Sequence, residues 1–256
     1  MEYRTLPPAE YAELEERILY EDNHLLIVNK AVGDIVQGDK TGDECLAETY
    51  KAFLAQRDDK PGKVFLGIPH RLDRPVSGLV VFARTSKALT RLNNMFRDGE
   101  VHKTYWAIVS KTEEGRSKKE EVRRKTEEGS GEMDDSSHTL EHWLVRNEKQ
   151  NKSYAYDHEV PNSKKAILKY RVIGHSDRYT LLEVNLLTGR HHQIRCQLAA
   201  MGCPIKGDLK YGAKRSNPDG SISLLSHRVE FIHPVSKERI VVESPLPNDP
   251  LWQTFK

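Results

Sequence analysis

The stretch Pro69–Ala83 reads Pro-His-Arg-Leu-Asp-Arg-Pro-Val-Ser-Gly-Leu-Val-Val-Phe-Ala, and the fold prediction starts from it. A charged cluster leads through Ser77-Gly78 into an apolar run, and a glycine before such a run is typical of a buried strand. We therefore expect the Asp73 carboxylate to lie at the mouth of a rigid element, between two arginines. Nearby positive charge favours the ionised carboxylate, which is the form that a nucleophile or general base needs. The alternative is a solvated turn with internal ion pairs.

The composition limits the classes of protein to which this chain can belong. With 256 residues and a mass of 29.4 kDa, it can bury one sizeable core or two closely packed lobes. No apolar run reaches the roughly 18 residues of a membrane span, and the chain starts with an acidic helix and not a signal segment. Three cysteines without a paired spacing predict a reduced, cytoplasmic protein with no disulfide framework and no metal site.

The charge is unevenly distributed, although the net charge is only +2. Residues 1–66 hold 14 acidic and 8 basic side chains, whereas residues 69–105 hold 3 acidic and 7 basic ones. Residues 188–215 hold 1 acidic and 6 basic side chains. Local positive charge around a site is expected for a substrate with a phosphate backbone. The alternative is that these charges scatter over different faces of the folded chain.

The hydrophobic patterns predict strands with a few helices, which favours an α+β fold over alternating βαβ units. We expect helices over 8–19, 43–55, 86–96 with Ser86 as N-cap and Gly99 as the stop, and 192–201. We expect strands over 25–29, 79–84, 101–109, 139–145, 166–173, 179–187, 224–232 and 239–242. The segment 111–137 holds 7 basic and 9 acidic residues and few apolar ones, which predicts a mobile surface insertion.

A second segment carries a family resemblance. Leu187–Arg195 reads Leu-Thr-Gly-Arg-His-His-Gln-Ile-Arg, and it is followed by Gly-Cys-Pro-Ile-Lys-Gly-Asp at 202–208 and by Tyr211-Gly212. Together with His-Arg-Leu-Asp at 70–73, these motifs resemble those of the RluA-type family of RNA pseudouridine synthases. Further blocks agree in the family's order: Tyr-Glu-Asp at 20–22, Leu-Ile-Val-Asn-Lys at 26–30, Lys-Thr-Tyr-Trp-Ala-Ile-Val at 103–109 and Phe-Ile-His-Pro at 231–234. Several ordered blocks are far more specific than one motif.

The resemblance implies the pseudouridine synthase fold: a bent, mostly antiparallel mixed sheet in two lobes, with the active-site cleft between them. We expect residues 1–17 to form an N-terminal helical extension and residues 18–256 to form the catalytic domain. Too few residues precede the first family block for the S4-type RNA-binding domain of some relatives. Ala31 departs from the family's usual proline after Asn-Lys, which bears on loop shape and leaves the target RNA open.

The family reaction breaks the bond from C1′ to N1 of uridine and remakes it from C1′ to C5. The resemblance assigns the carboxylate role to Asp73, which can stabilise charge on the sugar, bond to C1′ or remove the C2′ proton; the sequence does not choose among these routes. Tyr105 aligns with the active-site tyrosine that stacks on the base. Arg195 aligns with the basic residue that pairs with the catalytic carboxylate, for which a planar guanidinium is suited.

The implied partner is structured RNA, either ribosomal or transfer RNA, acted on by a monomer. The isomerisation consumes nothing, so we expect no metal and no small-molecule cofactor, and the chain has no phosphate-binding or dinucleotide-binding glycine motif. The side chains expected to contact RNA are His70, Arg71, Arg74, Arg190, His192 and Lys206. For His70 the alternative is a cap of its own loop. One alternative function is a non-catalytic RNA-binding or RNA-folding module on the same fold. Another is a glycoside hydrolase, which would need a second placed carboxylic acid.

Overall fold

The computed structural model describes residues 3–38, 41–59, 62–110 and 137–255. The helices in these ranges are α1 (Pro8–Glu16), α2 (Leu46–Arg57), α3 (Ser86–Asp98), α4 (Gln193–Ala200) and α5 (Pro250–Gln253), with one 3₁₀ turn at Leu209–Tyr211. The strands are β1 (Ile18–Glu21), β2 (Leu25–Lys30), β3 (Ser77–Ala83), β4 (His102–Ser110), β5 (His138–Asn147), β6 (Lys152–Tyr156), β7 (Lys164–His175), β8 (Tyr179–Leu186), β9 (Leu224–Ile232) and β10 (Arg239–Glu243). The charged insertion predicted at 111–137 lies outside the described residues, apart from Ser137.

The chain divides into two compact units, in agreement with the two lobes that were predicted. The first unit comprises Met1–Lys103 and Ser226–Leu246, and the second comprises Thr104–Leu225 and Pro247–Lys256. Helices and mostly antiparallel strands occur in both, so the α+β class is confirmed. Among the described residues no helix has the length and apolar character needed to cross a bilayer.

Strand β3 is the centre of the first unit, whose sheet runs in the order β1-β2-β3-β9 with β10 paired to β9. Val80 and Phe82 point to a core that includes α2, while Leu79 and Val81 point to a second core that includes α3. Both faces of β3 are therefore buried, which explains why its sequence is a continuous apolar run and not an alternating one. Gly78 enters the strand at φ +107°, and a Cβ there would lie 2.3 Å from the Ser226 carbonyl oxygen.

The second unit is built on a sheet in the order β4-β8-β7-β5-β6. The registers within it are antiparallel, from Tyr105 opposite Val184 to Trp143 opposite Tyr156. One face of the sheet packs against α4, because Leu144 and Ala166 form a buried cluster with Cys196 and Tyr211. This packing places the start of α4, with the Gly-Arg-His-His-Gln-Ile-Arg motif, against the sheet.

Some predicted boundaries were wrong. The first helix ends at Glu16 and not at residue 19, because Ile18 begins strand β1 and pairs with Val28. The N-cap of α3 is Thr85 and not Ser86, since the Thr85 hydroxyl accepts a hydrogen bond from the Ala88 N–H; Gly99 is the C-cap, as predicted, at φ +78°. Strand β6 was not predicted at all.

The N-terminal helix contributes to the core of the first unit. Leu14 of α1 is 3% exposed and belongs to the same buried cluster as α2. The Tyr50 hydroxyl of α2 donates a hydrogen bond of 3.0 Å to the Leu14 carbonyl oxygen. The domain boundary at residue 17 stays a prediction.

Candidate active site

The predicted carboxylate lies on the loop that leads into β3. The Asp73 carbonyl oxygen accepts a hydrogen bond of 3.0 Å from the Val76 N–H, which closes a turn before the strand, and its side chain is partly exposed. The arginines on either side are exposed, and Arg74 forms an ion pair with Asp43. The loop therefore presents a carboxylate between two cations at the start of a rigid strand, as the sequence predicted.

A buried lysine lies beneath this loop. Lys30, the last residue of β2, is fully buried, and its ammonium donates hydrogen bonds to the carbonyl oxygens of Ala31 (2.9 Å), Arg74 (3.1 Å) and Val76 (2.6 Å). Burial lowers the pKa of Lys30 from 10.5 to about 8, against the attraction of the Asp34 and Asp73 carboxylates. The sequence reasoning missed this role; its only signal was a lysine at the end of an apolar strand.

His70 anchors the other side of the loop. Its Nε2 accepts a hydrogen bond of 2.9 Å from the Val81 N–H, and its ring stacks on Phe96 with centroids 4.7 Å apart. Burial, assisted by the nearby Lys103 charge, lowers the pKa of His70 to about 3, so the imidazole is neutral with its proton on Nδ1. This geometry favours the loop-cap interpretation of His70, and an RNA contact stays a prediction.

Tyr105 belongs to the sheet of the second unit. It is 6% exposed on β4, and it lies opposite Val184, which in turn lies opposite Tyr170. Residues in register across antiparallel strands share a face, and Leu168 and Ala166 alternate with Tyr170 on that same face. Tyr105 is therefore on the face that packs against α4.

Arg195 is held by a carboxylate from the segment after α4. Its Nε donates to Oδ2 of Asp208 at 2.7 Å and its Nη2 donates to Oδ1 at 2.9 Å, which is a bidentate pair. Both side chains are almost completely buried, and the guanidinium lies 5.1 Å from the centre of the Tyr211 ring. Asp208 is a second residue that sequence reasoning did not single out, although it stands in the quoted Lys-Gly-Asp motif.

A hydrogen-bond network fixes the residues around Arg195. The Tyr211 hydroxyl accepts from the Ser153 N–H at 2.8 Å and lies 3.0 Å from Nδ1 of His192. Burial raises the pKa of Tyr211, so the phenol keeps its proton at neutral pH. His192 precedes α4 at φ +52° and stacks on His191, with centroids 3.8 Å apart. These contacts hold His192 inside the unit, and its RNA contact stays a prediction.

The structure groups the predicted site residues within each unit. In the first unit, His70, Arg71, Asp73 and Arg74 share one loop. In the second unit, Tyr105, His192 and Arg195 lie in or against one face of the sheet. Arg190 is exposed and its Nε donates to the Lys165 carbonyl oxygen at 3.0 Å, while the Lys206 ammonium donates to the Asn217 side chain at 2.6 Å. The described residues include no group of His, Cys, Asp or Glu side chains suited to hold a metal ion.

Comparison with known proteins identifies the family. The family model described as RNA pseudouridylate synthase matches residues 24–200. The ribosomal large subunit pseudouridine synthase C of Vibrio cholerae is 31% identical over 92% of this chain and 67% of its own length. A Bacillus subtilis protein named as an uncharacterised RNA pseudouridine synthase is also 31% identical, over 94% of this chain and 71% of its own length.

The solved structures agree on the fold. The human RNA pseudouridylate synthase domain containing 4 superposes with a TM-score of 0.71 at 20% identity, covering 94% of this chain and 92% of its own. The human domain containing 1 superposes with a TM-score of 0.66 at 22% identity, covering 98% and 90%. With the ordered motifs and the relatives above, these likenesses show that the chain belongs to the RluA-type family of RNA pseudouridine synthases, which are isomerases.

Proposed function

We propose that this enzyme isomerises a specific uridine in structured ribosomal RNA and that Asp73 is its catalytic carboxylate. The observation that carries the assignment of Asp73 is its loop, which is anchored by Lys30 and His70 and carries the carboxylate at the start of β3. A carboxylate on a supported loop is held for chemistry at a fixed position. Several relatives are named for the large ribosomal subunit, which supports ribosomal RNA over transfer RNA, the second candidate.

The chemistry requires one bond to break and one to form. The bond from C1′ to N1 breaks and the bond from C1′ to C5 forms, while the proton on C5 leaves and N1 gains one, so the reaction balances without an added reactant. Asp73 stabilises positive charge on the sugar, bonds to C1′ or removes the C2′ proton. A uridine in a stacked helix has to be extruded before these atoms are accessible.

In this proposal, the other predicted site residues assist Asp73 at the same uridine. Tyr105 stacks on the base, and Arg195 pairs with the catalytic carboxylate, held in its rotamer by Asp208. Arg71, Arg74, Arg190 and Lys206 contact phosphates or fill the place of the extruded base. Double-mutant kinetics would test whether Asp73 and Arg195 act as a unit, since coupled residues show non-additive effects.

The decisive experiment combines pseudouridine mapping with an Asp73→Asn variant. Pseudouridine is mapped in the ribosomal and transfer RNA of cells with and without the protein. A position that is modified only when the protein is present identifies the substrate. The purified variant should bind that RNA normally and show no isomerisation, because the amide cannot act as a nucleophile or base. Turnover by the variant near the native rate would exclude Asp73 as the catalytic group.

We further propose that the enzyme works in the cytoplasm as a monomer. The chain has three cysteines without the paired spacing of a disulfide framework, and this supports a reducing compartment. Light scattering on the purified protein, together with fractionation of cells, tests both statements.

A further inference from the structure

The sheet of the second unit has two faces that differ in what they contact. One face packs against α4 through Leu144 and Ala166. The opposite face, which we call the outer face, carries Trp143, Tyr154, Tyr156, Lys165 and Lys169. Side chains alternate along a strand, so the buried Ser153 of β6 points to α4 while Tyr154 and Tyr156 point away from it.

Aromatic rings form a group on the outer face. Tyr154 and Tyr156 are 39% and 40% exposed, and Trp143 lies opposite Tyr156 on the neighbouring strand. The two tyrosines are two residues apart on β6, a separation of about 7 Å along the strand, so each ring can accept its own planar group. The Lys152 ammonium lies at the edge of the sheet, 5.5 Å from the centre of the Tyr154 ring and 5.2 Å from that of the Tyr211 ring.

The same face carries excess positive charge. Lys165 of β7 lies opposite Trp143 of β5, and Lys169 is on the same side of β7. Of the acidic side chains on this face of the described strands, Glu141 pairs with Lys165 at 2.6 Å and Glu183 pairs with Arg171 at 2.7 Å. The charge of Lys169 on this face and the charge of Lys152 at the adjacent sheet edge are thus in excess over the carboxylates of this face.

We propose that the outer face binds unpaired nucleotides of the RNA substrate, with bases stacked on Tyr154 and Tyr156 and phosphates near Lys152 and Lys169. The proposal adds a binding surface to the proposed function and rests on RNA being the substrate. Exposed aromatic rings on a sheet, with cations beside them, are the chemistry by which proteins bind single-stranded RNA. A second copy of the chain is a poorer occupant, because a symmetric contact through this face would bring its excess cations together.

Binding of a fluorescein-labelled 12-nucleotide oligouridine to the full-length protein tests the proposal. The double substitution Tyr154→Ala with Tyr156→Ala should weaken binding about tenfold, whereas replacement of both tyrosines by Phe should leave it within about twofold. Phe65→Ala removes an aromatic side chain that is 44% exposed in the first unit, and this matched control should bind as the wild type does. Lys152→Gln should reduce the slope of log affinity against log salt by about 0.7.

Two further measurements separate stacking from other causes. The oligouridine should quench more fluorescence in the wild type than in Trp143→Phe. The alanine pair should keep the wild-type single-turnover rate at saturating RNA while the RNA concentration for half-maximal rate rises about tenfold. Unchanged affinity in the alanine pair, a phenylalanine pair as weak as the alanine pair, or a wild-type dimer that the alanine pair dissociates would each overturn the proposal. Weakened oligouridine binding in a protein that isomerises no RNA would instead overturn the proposed function and support this surface.

Discussion

Replacing Lys30 by Met should change how the stability of the protein depends on pH. Methionine has an unbranched side chain of similar length, so it fills the same space without the ammonium. At neutral pH two effects oppose one another. The carbonyl oxygens of Ala31 and Val76 lose the donor described for them, at about 1–3 kcal/mol each, while the penalty for burying a charge disappears. We therefore expect a modest net loss of stability at pH 7.

The pH dependence gives the sharper result. In the folded protein the pKa of Lys30 is about 8, against 10.5 for an ordinary lysine. Between these values the unfolded chain binds more protons than the folded one, so the free energy of unfolding of the wild type rises with pH through that window. The gain from pH 7 to pH 9.5 is about 2 kcal/mol. The variant lacks the group, so its deficit relative to the wild type should grow by the same amount.

Chemical denaturation at pH 7, 8, 9 and 9.5 measures this difference. The exposed Lys87→Met variant is the matched control, and its stability should differ from that of the wild type by the same amount at every pH. The single-turnover rate of Lys30→Met should also fall, because the carbonyl oxygens of Arg74 and Val76 lose the group that holds them. A stability difference between Lys30→Met and the wild type that stays constant with pH would refute the reasoning.

Three other changes have defined outcomes. Asp208→Asn keeps the size of the side chain but removes the charge that holds Arg195. The single-turnover rate, measured at saturating RNA, should fall at least about tenfold. A native rate would show that the Arg195–Asp208 pair is only structural. From pH 7 to pH 4.5 the wild type should lose about 2.5 kcal/mol more stability than His70→Gln, because a pKa of about 3 in the folded protein means that acid protonates His70 in the unfolded chain first; identical acid unfolding of both proteins would contradict this. Deleting residues 113–135, which lie outside the described residues and hold few apolar side chains, should leave cooperative unfolding by circular dichroism and the single-turnover rate intact; loss of either would show that the segment is structural or part of the site.

The helices and strands that could be predicted from sequence are those whose hydrophobic pattern fits only one type of secondary structure. Strand β3 is a continuous apolar run after Gly78, and its burial on both faces follows from that pattern. Strand β6 was missed because it is an edge strand in which Ser153 and Ala155 face α4, so it shows neither an apolar run nor a clear alternation. Ile18 fits both a helical spacing and a strand, and only its pairing with β2 decides between them.

Sequence reasoning identified some residues of the candidate site and missed others. The position of Asp73 on its loop could be predicted because its neighbours in sequence are its neighbours in the loop. Lys30 contacts the carbonyl oxygen of Val76, which is 46 positions away, and Asp208 contacts Arg195 from 13 positions away. Partners at such separations leave no periodic pattern in one sequence, because the fold and not the local chain brings them together.

If Asp73 is the catalytic group, as proposed, the anchors of its loop tie the chemistry to the fold. The loop is tied at His70 through the Val81 N–H, at residues 74 and 76 through Lys30, and at Gly78, where the chain approaches Ser226 too closely for any side chain. Asp73 lies three residues after the first anchor and one before the second. So short a segment between fixed points leaves its carboxylate little freedom, and such preorganisation is what a site needs to hold a reacting group within a fraction of an ångström. Changes at the anchors should therefore lower the rate of the chemical step more than they weaken RNA binding.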